Sequence, residues 1–321
     1  MQSTTKTTEL IINDSFVIVQ IPCLIDNYAF LIHCLRTKQT CALDTPELNP
    51  ILSELLRRRW TLTHILNTHW HGDHTGANLQ VRSKTLTLTR SRALLKREEV
   101  VFVSIDIFLP LVCSDCLLLL HEQKQLKERF PRCEIVGPRN ERAKIPGQEK
   151  IPGIDRKVED GDEVVVGNIT FKVIDVKGHT LGHCAYYSEE ALRSAFVGDC
   201  VFAMGCGRVF EGTKEMMFES VSKIQGLPDE TKLYCAHEYT MSNVKFAKTV
   251  DGKNLDLIER EKKCEALRRE NEPTVPTTVA EEKKTNPFMR ANDATIREFL
   301  GMQKNTDSEV FAEIRTRKDN F

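Results

Sequence analysis

The heptad THWHGDH at residues 68–74 concentrates side chains that bind metal ions. It carries three imidazoles and one carboxylate: His69, His71, Asp73 and His74. Imidazole and carboxylate groups are ligands for zinc, iron and related divalent ions. In an extended segment His69 and His71 lie on the same side and could hold one ion. A turn at Gly72 would let Asp73 and His74 face another ion, so the heptad predicts a site for two metals.

Three later positions could complete such a site, because each follows a predicted strand. His179 lies in GHTLGH after the strand at residues 173–176, Asp199 follows residues 195–197, and His237 follows residues 231–235. Loops at strand ends carry functional side chains on a rigid support. A lone histidine or aspartate at a strand end is more often structural, but together these three supply the ligands that the heptad lacks.

The elements that must position these residues are mostly strands before Tyr239 and helices after it. Strands are predicted at residues 15–21, 28–33, 40–43, 63–67 and 133–136, and one helix at residues 49–59. Gly167-Asn168 between two alternating runs predicts a type I′ hairpin turn. Beyond Tyr239 no strand is predicted, and helices are expected at residues 254–269, 293–302 and 308–317.

Composition and charge narrow the class of protein. The chain has 321 residues, a formal net charge of -1 and eleven cysteines. The charge gives no general attraction to nucleic acid or to an anionic membrane, so we expect neither as a partner. The odd number of scattered cysteines indicates free thiols in a reducing compartment. The polar N-terminus lacks secretory and transit patterns; we expect a cytoplasmic monomer, with a mitochondrial location as the alternative.

The order HxHxDH, GHT, GD and a final histidine after a strand resembles the metallo-β-lactamase superfamily. Further segments are similar to the glyoxalase II (hydroxyacylglutathione hydrolase) family: residues 205–213 (GCGRVFEGT), 235–240 (CAHEYT), 243–247 (NVKFA), 273–290 (PTVPTTVAEEKKTNPFMR) and 315–321 (RTRKDNF). The resemblance covers roughly residues 15–80 and 126–321. It implies an α+β fold, an αβ/βα four-layer sandwich at residues 1–238, and a helical substrate-binding domain at residues 239–321.

The resemblance also implies a ligand set for two divalent ions, zinc with iron or manganese as alternatives. His69, His71 and His179 would bind one ion, whereas Asp73, His74 and His237 would bind the other. Asp199 would bridge the two ions, and His183 would be structural rather than a ligand.

The substrate implied by the resemblance is an S-2-hydroxyacylglutathione, usually S-lactoylglutathione. A hydroxide between the metals, oriented by Asp73, would hydrolyse the thioester to a 2-hydroxy acid and glutathione, the second step of methylglyoxal detoxification. Arg315 and Lys318 match the basic pair that holds the glycine carboxylate of glutathione, and Arg208 and Tyr239 match other glutathione contacts. Phe210 stands where many relatives have tyrosine, so one hydroxyl contact is missing or replaced.

Residues 81–125 do not fit this pattern and look inserted, because residues 126–130 read as the continuation of residues 78–80. We hypothesise that this segment is translated intron or a gene-model error. Its apolar run at residues 100–120 contains Asp106, Pro110 and Asp115, which argues against a membrane span. Cys113 and Cys116 have no second pair to complete a zinc site and are assigned no role.

Two alternatives remain open at this point. The first is a persulfide dioxygenase-like enzyme of the same fold with a single iron, which needs fewer ligands. The second is an inactive relative disabled by the insertion.

Overall fold

The computed structural model describes residues 5–78, 133–141 and 150–321. The predicted insertion, its apolar run and the Cys113–Cys116 pair lie outside the described residues. Among the helices that are described, none is long and apolar enough to cross a membrane.

Within the described residues, the first sheet has seven strands that lie in sequence order. They are β1 Thr8–Ile12, β2 Phe16–Cys23, β3 Asn27–Cys34, β4 Gln39–Leu43, β5 Thr61–Leu66, β6 Glu134–Pro138 and β7 Arg156–Val158. The pairs from β1 to β4 are antiparallel, and the pairs from β4 to β7 are parallel. Helix α1, Leu48–Arg58, connects β4 to β5, as a parallel connection requires.

In the part of the chain that the structure describes, the second sheet has six strands in the order β15-β14-β11-β10-β9-β8. These are β8 Glu163–Val166, β9 Ile169–Asp175, β10 Cys184–Ser188, β11 Ser194–Gly198, β14 Lys232–Cys235 and β15 Thr277–Thr278. Strands β11 and β14 are parallel and adjacent, so their carboxyl ends lie side by side. The short strands β12 Val201–Phe202 and β13 Gly205–Cys206 form a separate hairpin.

Strand β2 (FVIVQIPC) is buried on both faces, which explains its nearly continuous apolar run. Ile18 faces a core shared with Phe171 and Phe196 of the second sheet. Val19 on the opposite face packs in a second core with Ile51 of α1. The chain is therefore the predicted α+β sandwich of two sheets with helices outside, and that prediction is confirmed.

Of the other helices in the described residues, one comes after β5 and the rest lie beyond residue 213. They are α2 Gly72–Thr75, α3 Lys214–Gln225, α4 Thr240–Asp251, α5 Leu255–Arg269, α6 Val279–Thr285, a 3-10 turn Pro287–Met289, α7 Ala294–Leu300 and α8 Asp307–Asp319. Asn254, Asp293 and Thr306 cap the first turns of α5, α7 and α8, which is where the sequence places helix starts. The division at residue 238 stays a prediction.

The structure corrects two details of the sequence-based interpretation. The segment beyond Tyr239 does contain a strand, since β15 pairs with β14 through Leu233 and Thr277. In the turn between β8 and β9 only Gly167 has a positive φ, 63°. A type I′ turn needs positive φ at both central residues, so this turn follows the type II′ pattern and the type I′ prediction was wrong.

Candidate metal centre

The predicted ligands meet because their strands end at one place. His69 follows β5 of the first sheet, whereas His179, Asp199 and His237 follow β9, β11 and β14 of the second. Backbone hydrogen bonds join the two sheets here: Tyr28 donates to the Ala236 carbonyl at 2.7 Å. The edge of the sandwich thus gathers side chains that lie up to 168 positions apart, the separation of His69 from His237.

Three imidazoles form the first group, which we call the three-histidine group. Nε2 of His69 and Nε2 of His179 each lie 3.0 Å from Nδ1 of His71. His69 and His179 are buried, and His71 is partly exposed. Three ring nitrogens that point at one another in this way match the ligand arrangement for one metal ion.

A second group contains Asp73, His74 and His237. Oδ2 of Asp73 lies 3.6 Å from Nε2 of His74 and 3.5 Å from Nε2 of His237. Asp199 lies between the two groups: its Oδ1 is 3.5 Å from Nε2 of both His74 and His237, and its Oδ2 is 3.3 Å from Nε2 of His179. One carboxylate therefore faces both groups.

The atoms at the centre of this arrangement fit metal ions. Nε2 of His74 and Oδ1 of Asp199 are buried and have no hydrogen-bond partner among the described residues. A buried polar atom without a partner costs about 1–3 kcal/mol, and a divalent cation would satisfy both atoms. The donor set of imidazole nitrogens and carboxylate oxygens is therefore compatible with a binuclear divalent metal site.

In four of the imidazoles Nε2 faces the site, and the other ring nitrogen, Nδ1, makes a hydrogen bond to the surrounding protein. Nδ1 of His74 contacts Asp44 Oδ2 at 2.9 Å, and Nδ1 of His237 contacts Asp26 Oδ1 at 2.9 Å. Nδ1 of His179 donates to the Arg208 carbonyl at 2.8 Å, and Nδ1 of His69 lies 3.0 Å from Thr68 Oγ1. Such partners orient a ligand and raise its basicity.

Sequence reasoning did not assign Asp26 or Asp44 to the site. Asp44 directly follows β4, has a φ of 52°, and also accepts hydrogen bonds from the backbone and hydroxyl of Thr68, both at 2.9 Å. Its position directly after a buried strand was a usable signal. Asp26 lies in the turn before β3, and nothing local links that turn to His237.

The charges in the site follow from burial and from the neighbouring groups. Burial and the adjacent imidazoles, His74 first among them, hold the pKa of His69 well below its usual range, so its ring stays neutral. Burial alone would raise the pKa of Asp199, but His237 and His74 hold it well below its usual range. The site therefore presents a neutral nitrogen donor and an ionised oxygen donor.

Two glycines near the ligands differ in what their backbone requires, and the predicted turn at Gly72 is made in another way. Gly198 has a φ of 49°, and a Cβ there would lie 2.6 Å from Thr68 Oγ1, so β11 can approach the His69 loop only with glycine. Gly72 needs no such freedom: its φ is ordinary and a Cβ would meet nothing within 4 Å. The chain turns through the short helix α2, which begins directly after His71 and contains Asp73 and His74.

His183 lies beside the site and faces its framework. Its Nε2 accepts a hydrogen bond from the Asp199 backbone at 3.1 Å, and its ring stacks on His69 with centroids 4.7 Å apart. Among the described residues it is not part of a potential metal-binding group. These contacts support the structural role that was expected of it.

The basic residues Arg315 and Lys318 of α8 lie near residues 205–208 (GCGR). Arg315 is buried, donates through Nη1 to the Cys206 carbonyl at 2.9 Å, and pairs with Asp319 at 2.9 Å. Lys318 is partly buried, and burial together with Arg315 and Arg208 lowers its pKa to about 8. Asp319 lies 2.9 Å from Arg315 and 3.9 Å from Arg208, so these two arginines share one carboxylate of the chain itself.

Two aromatic rings flank the centre. Phe210 is 62% exposed and its ring lies 5.2 Å from that of His179 and 5.8 Å from that of His71. Tyr239 stacks on His237, with ring centroids 4.6 Å apart and an angle of 8°. Each ring borders one group of ligands, so both are placed to contact a molecule bound over the site.

Comparisons with known proteins define the class. The family model for the metallo-beta-lactamase superfamily matches residues 37–237. The B3 metallo-beta-lactamase BLEG-1 is similar in fold, with a TM-score of 0.51, 18% identity, and coverage of 82% of this chain and 94% of its own. A metallo-beta-lactamase from Staphylococcus aureus also has a TM-score of 0.51, at 19% identity, over 91% and 68% of the two chains. The chain belongs to this superfamily.

The family within that class follows from closer relatives. The model described as hydroxyacylglutathione hydrolase C-terminus matches residues 238–321. The hydroxyacylglutathione hydrolase of Hyphomonas neptunium is 42% identical over 94% of this chain and 97% of its own length. That of Mesorhizobium japonicum is 43% identical over 95% and 98%. The chain belongs to the hydroxyacylglutathione hydrolase, or glyoxalase II, family.

Proposed function

We propose that this enzyme hydrolyses S-2-hydroxyacylglutathione thioesters, with S-lactoylglutathione as the main substrate, to a 2-hydroxy acid and glutathione. The observation that carries the proposal is the shared carboxylate of Asp199, which faces two ligand groups in a chain of this family. Two ligand groups that share one carboxylate support a metal-dependent thioester hydrolase.

In this proposal the three-histidine group binds one ion, and Asp73, His74 and His237 bind the other, with Asp199 shared. Zinc, iron and manganese all fit these imidazole and carboxylate ligands, and zinc is the ion that we propose. When bound, such ions would lower the pKa of a water ligand and polarise a carbonyl oxygen. They supply the nucleophile and the charge stabilisation that thioester hydrolysis needs.

Asp73 has the geometry to orient the attacking water. Its side chain is 41% exposed, and its Oδ2 accepts a hydrogen bond from Asn27 Nδ2 at 3.1 Å, which holds the carboxylate in place. Burial alone would raise the pKa of Asp73, but His74 and Asn27 lower it. The carboxylate is therefore ionised and can accept a hydrogen bond from water. The departing thiol is acidic enough to leave as a thiolate without a side-chain acid.

The glutathione part of the substrate would lie along the cationic side of the site. Arg208, Arg315 and Lys318 supply positive charge for its glycine carboxylate, and Arg315 is held rigid by Cys206 and Asp319. Tyr239 and Phe210 border the reacting end. We further propose that residues 239–321 form a substrate-binding domain, and that the enzyme is a cytoplasmic monomer that needs neither nucleic acid nor membrane.

The direct test is hydrolysis of S-lactoylglutathione, followed by the loss of thioester absorbance, with and without a chelator. We expect activity that the chelator abolishes and that added zinc restores. Metal analysis separates the alternatives: two equivalents support the hydrolase, and one iron with oxygen consumption supports a dioxygenase. The complete second group of Asp73, His74 and His237 favours the hydrolase, since a single-iron site would not use it.

A further inference from the structure

His71 differs from the other ligand imidazoles in how it is held. His69, His74, His179 and His237 each have a hydrogen bond at the outward nitrogen. Within the described residues, the hydrogen-bond contacts of the His71 ring are all made by Nδ1, which faces the site. Its orientation must therefore come from the residues that hold its backbone and pack on its ring.

The neighbouring Trp70 is such a residue. Its ring contacts the His71 ring edge-on at 4.7 Å, and its Nε1 donates a hydrogen bond to Glu211 Oε1 at 3.1 Å. The other oxygen of Glu211 accepts a hydrogen bond from the Leu181 backbone at 3.0 Å. Leu181 lies two residues after His179, so one carboxylate spans the loops that carry two ligands of the three-histidine group.

Lys150 fixes Glu211 in that position. Its Nζ lies 2.8 Å from Glu211 Oε1 and 4.4 Å from the centroid of the Trp70 ring. The same ammonium lies 3.8 Å from Oε2 of Glu141, a buried carboxylate whose Oε1 accepts a hydrogen bond from the Thr180 hydroxyl. We call Glu141, Lys150 and Glu211 the acid–lysine brace. It contacts the residue before His71 and the two residues after His179.

An ion pair of this kind is a poor way to add stability. Partial burial of two charges costs desolvation energy, and their mutual attraction does little more than offset that cost. Such pairs therefore contribute little net free energy of folding. Their directed hydrogen bonds do restrict geometry, and residues that support metal ligands typically change metal affinity by about 10–100-fold when they are replaced. The brace is thus better suited to positioning than to stability.

We propose that Glu211 is a positioning residue for the three-histidine group: through Trp70 and Leu181 it keeps His71 and His179 at metal-binding separation. The inference rests on the proposed metal-dependent function and adds that the two ions depend on separate supports. Glu211 supports the ion at the three-histidine group, whereas Asp26 and Asp44 support the ion at Asp73, His74 and His237.

The test uses metal binding rather than activity. The chain has two tryptophans, Trp60 and Trp70, so a Trp60→Phe background leaves Trp70 as a reporter beside His71. Metal-free protein would be titrated with Zn²⁺ while Trp70 emission and bound metal are measured. We expect Glu211→Gln to weaken the transition seen by Trp70 by roughly 10–100-fold and to leave the other ion bound as before.

Two matched variants make the result specific. Glu215→Gln changes an exposed acid four residues away on α3 and should bind both ions normally. Asp26→Asn should weaken the other ion and leave the Trp70 transition in place. If Glu211→Gln folds poorly, Lys150→Gln keeps the carboxylate, removes only the ion pair, and should weaken the same ion by a smaller factor.

Each outcome decides between the two proposals. Absence of zinc binding by the parent protein would overturn the proposed function itself. Two ions bound with parental affinity by Glu211→Gln, or an equal loss at both ions, would overturn the positioning role alone. A lower unfolding temperature of metal-free Glu211→Gln with both affinities unchanged would show that the brace is merely structural.

Discussion

The Asp44 carboxylate lies 2.9 Å from Nδ1 of His74. A carboxylate only accepts, so His74 carries a proton on Nδ1, and its Nε2 is the atom that faces Asp73 and Asp199. Both carboxylate oxygens of Asp44 accept hydrogen bonds, because Oδ1 also accepts from the Thr68 backbone and Oδ2 from the Thr68 hydroxyl. One residue thus connects the end of β4 to both halves of the heptad.

Replacement of Asp44 by asparagine should therefore damage metal binding more than folding. The amide NH₂ of asparagine would face at least one of the groups that now donate to Asp44. We therefore expect metal binding at the group of Asp73, His74 and His237 to weaken roughly 10–100-fold, with a parallel loss of kcat. Metal titration and circular dichroism of the variant check this. Asp256→Asn, at an exposed position of α5, is the control; equal losses in both variants would contradict the assignment.

Removal of the metals should lower stability without unfolding the protein. Ions that bind only the native state stabilise it by about 4 kcal/mol when present at a thousand times Kd, and their loss leaves the buried atoms of His74 and Asp199 without partners. We expect Tm to fall after chelation and to recover with zinc. Calorimetry of both forms tests this, and an unchanged Tm would argue against a site built around bound ions.

The pKa of Lys318 predicts how substrate binding depends on pH. Burial, Arg315 and Arg208 lower that pKa to about 8, so the ammonium loses its charge as pH rises through 8. We expect KM for S-lactoylglutathione to rise above pH 8 while kcat changes less. Lys318→Arg should flatten this dependence because arginine stays charged. In contrast, Lys318→Ala should raise KM roughly 10-fold at neutral pH.

The exposed Lys304→Ala provides the control for charge alone. A KM profile for Lys318→Arg that still rises above pH 8 would show that another group titrates in the binding site.

Phe210 offers a gain-of-function test. Its ring lies at the edge of His71 and His179, exposed to the space over the metals. Tyrosine there would add one hydroxyl contact to the substrate, worth about 0.5–1.5 kcal/mol. We expect Phe210→Tyr to lower KM roughly 2–10-fold with little change in kcat. Phe299→Tyr adds the same hydroxyl at another exposed position and should have no effect; an unchanged KM in both variants would remove Phe210 from the binding site.

His33 should contribute to loss of stability in acid. It is buried, lies 2.8 Å through Nδ1 from Thr40 Oγ1, and stacks on Trp60 at 4.2 Å. Burial, with Lys38 and Arg58, lowers its pKa to about 4. A depressed histidine pKa means that stability is present above the unfolded value near 6.5 and is lost as pH falls toward 4.

This contribution is up to about 3 kcal/mol, at 1.36 kcal/mol for each pKa unit. It is measured as the difference between the parent and His33→Gln, both metal-free, in denaturant unfolding from pH 6.5 to 4. The parent should lose more free energy of unfolding over this range than the variant. Parallel curves would show that His33 titrates normally in the folded protein.

The sequence by itself determined the chemistry of the site and most of its local structure. The heptad at residues 68–74 contains imidazole and carboxylate side chains, which identify the type of ligand. The predicted strand ends at residues 176, 197 and 235 place His179, Asp199 and His237 in loops. Helices α5, α7 and α8 begin at polar caps that are visible in the sequence. These features are local, because periodicity and capping act over a few residues and do not depend on the rest of the fold.

Only the tertiary structure decided which of these local features act together. Asp26 supports His237 from 211 positions away, and Glu211 reaches Trp70 across 141. The burial of Arg315 against Cys206, likewise, cannot be read from the last helix alone. Such contacts depend on the order of strands in two sheets and on the bridge between Asn27 and His237. Because that order is set by long-range packing, short-range sequence patterns carry no record of it.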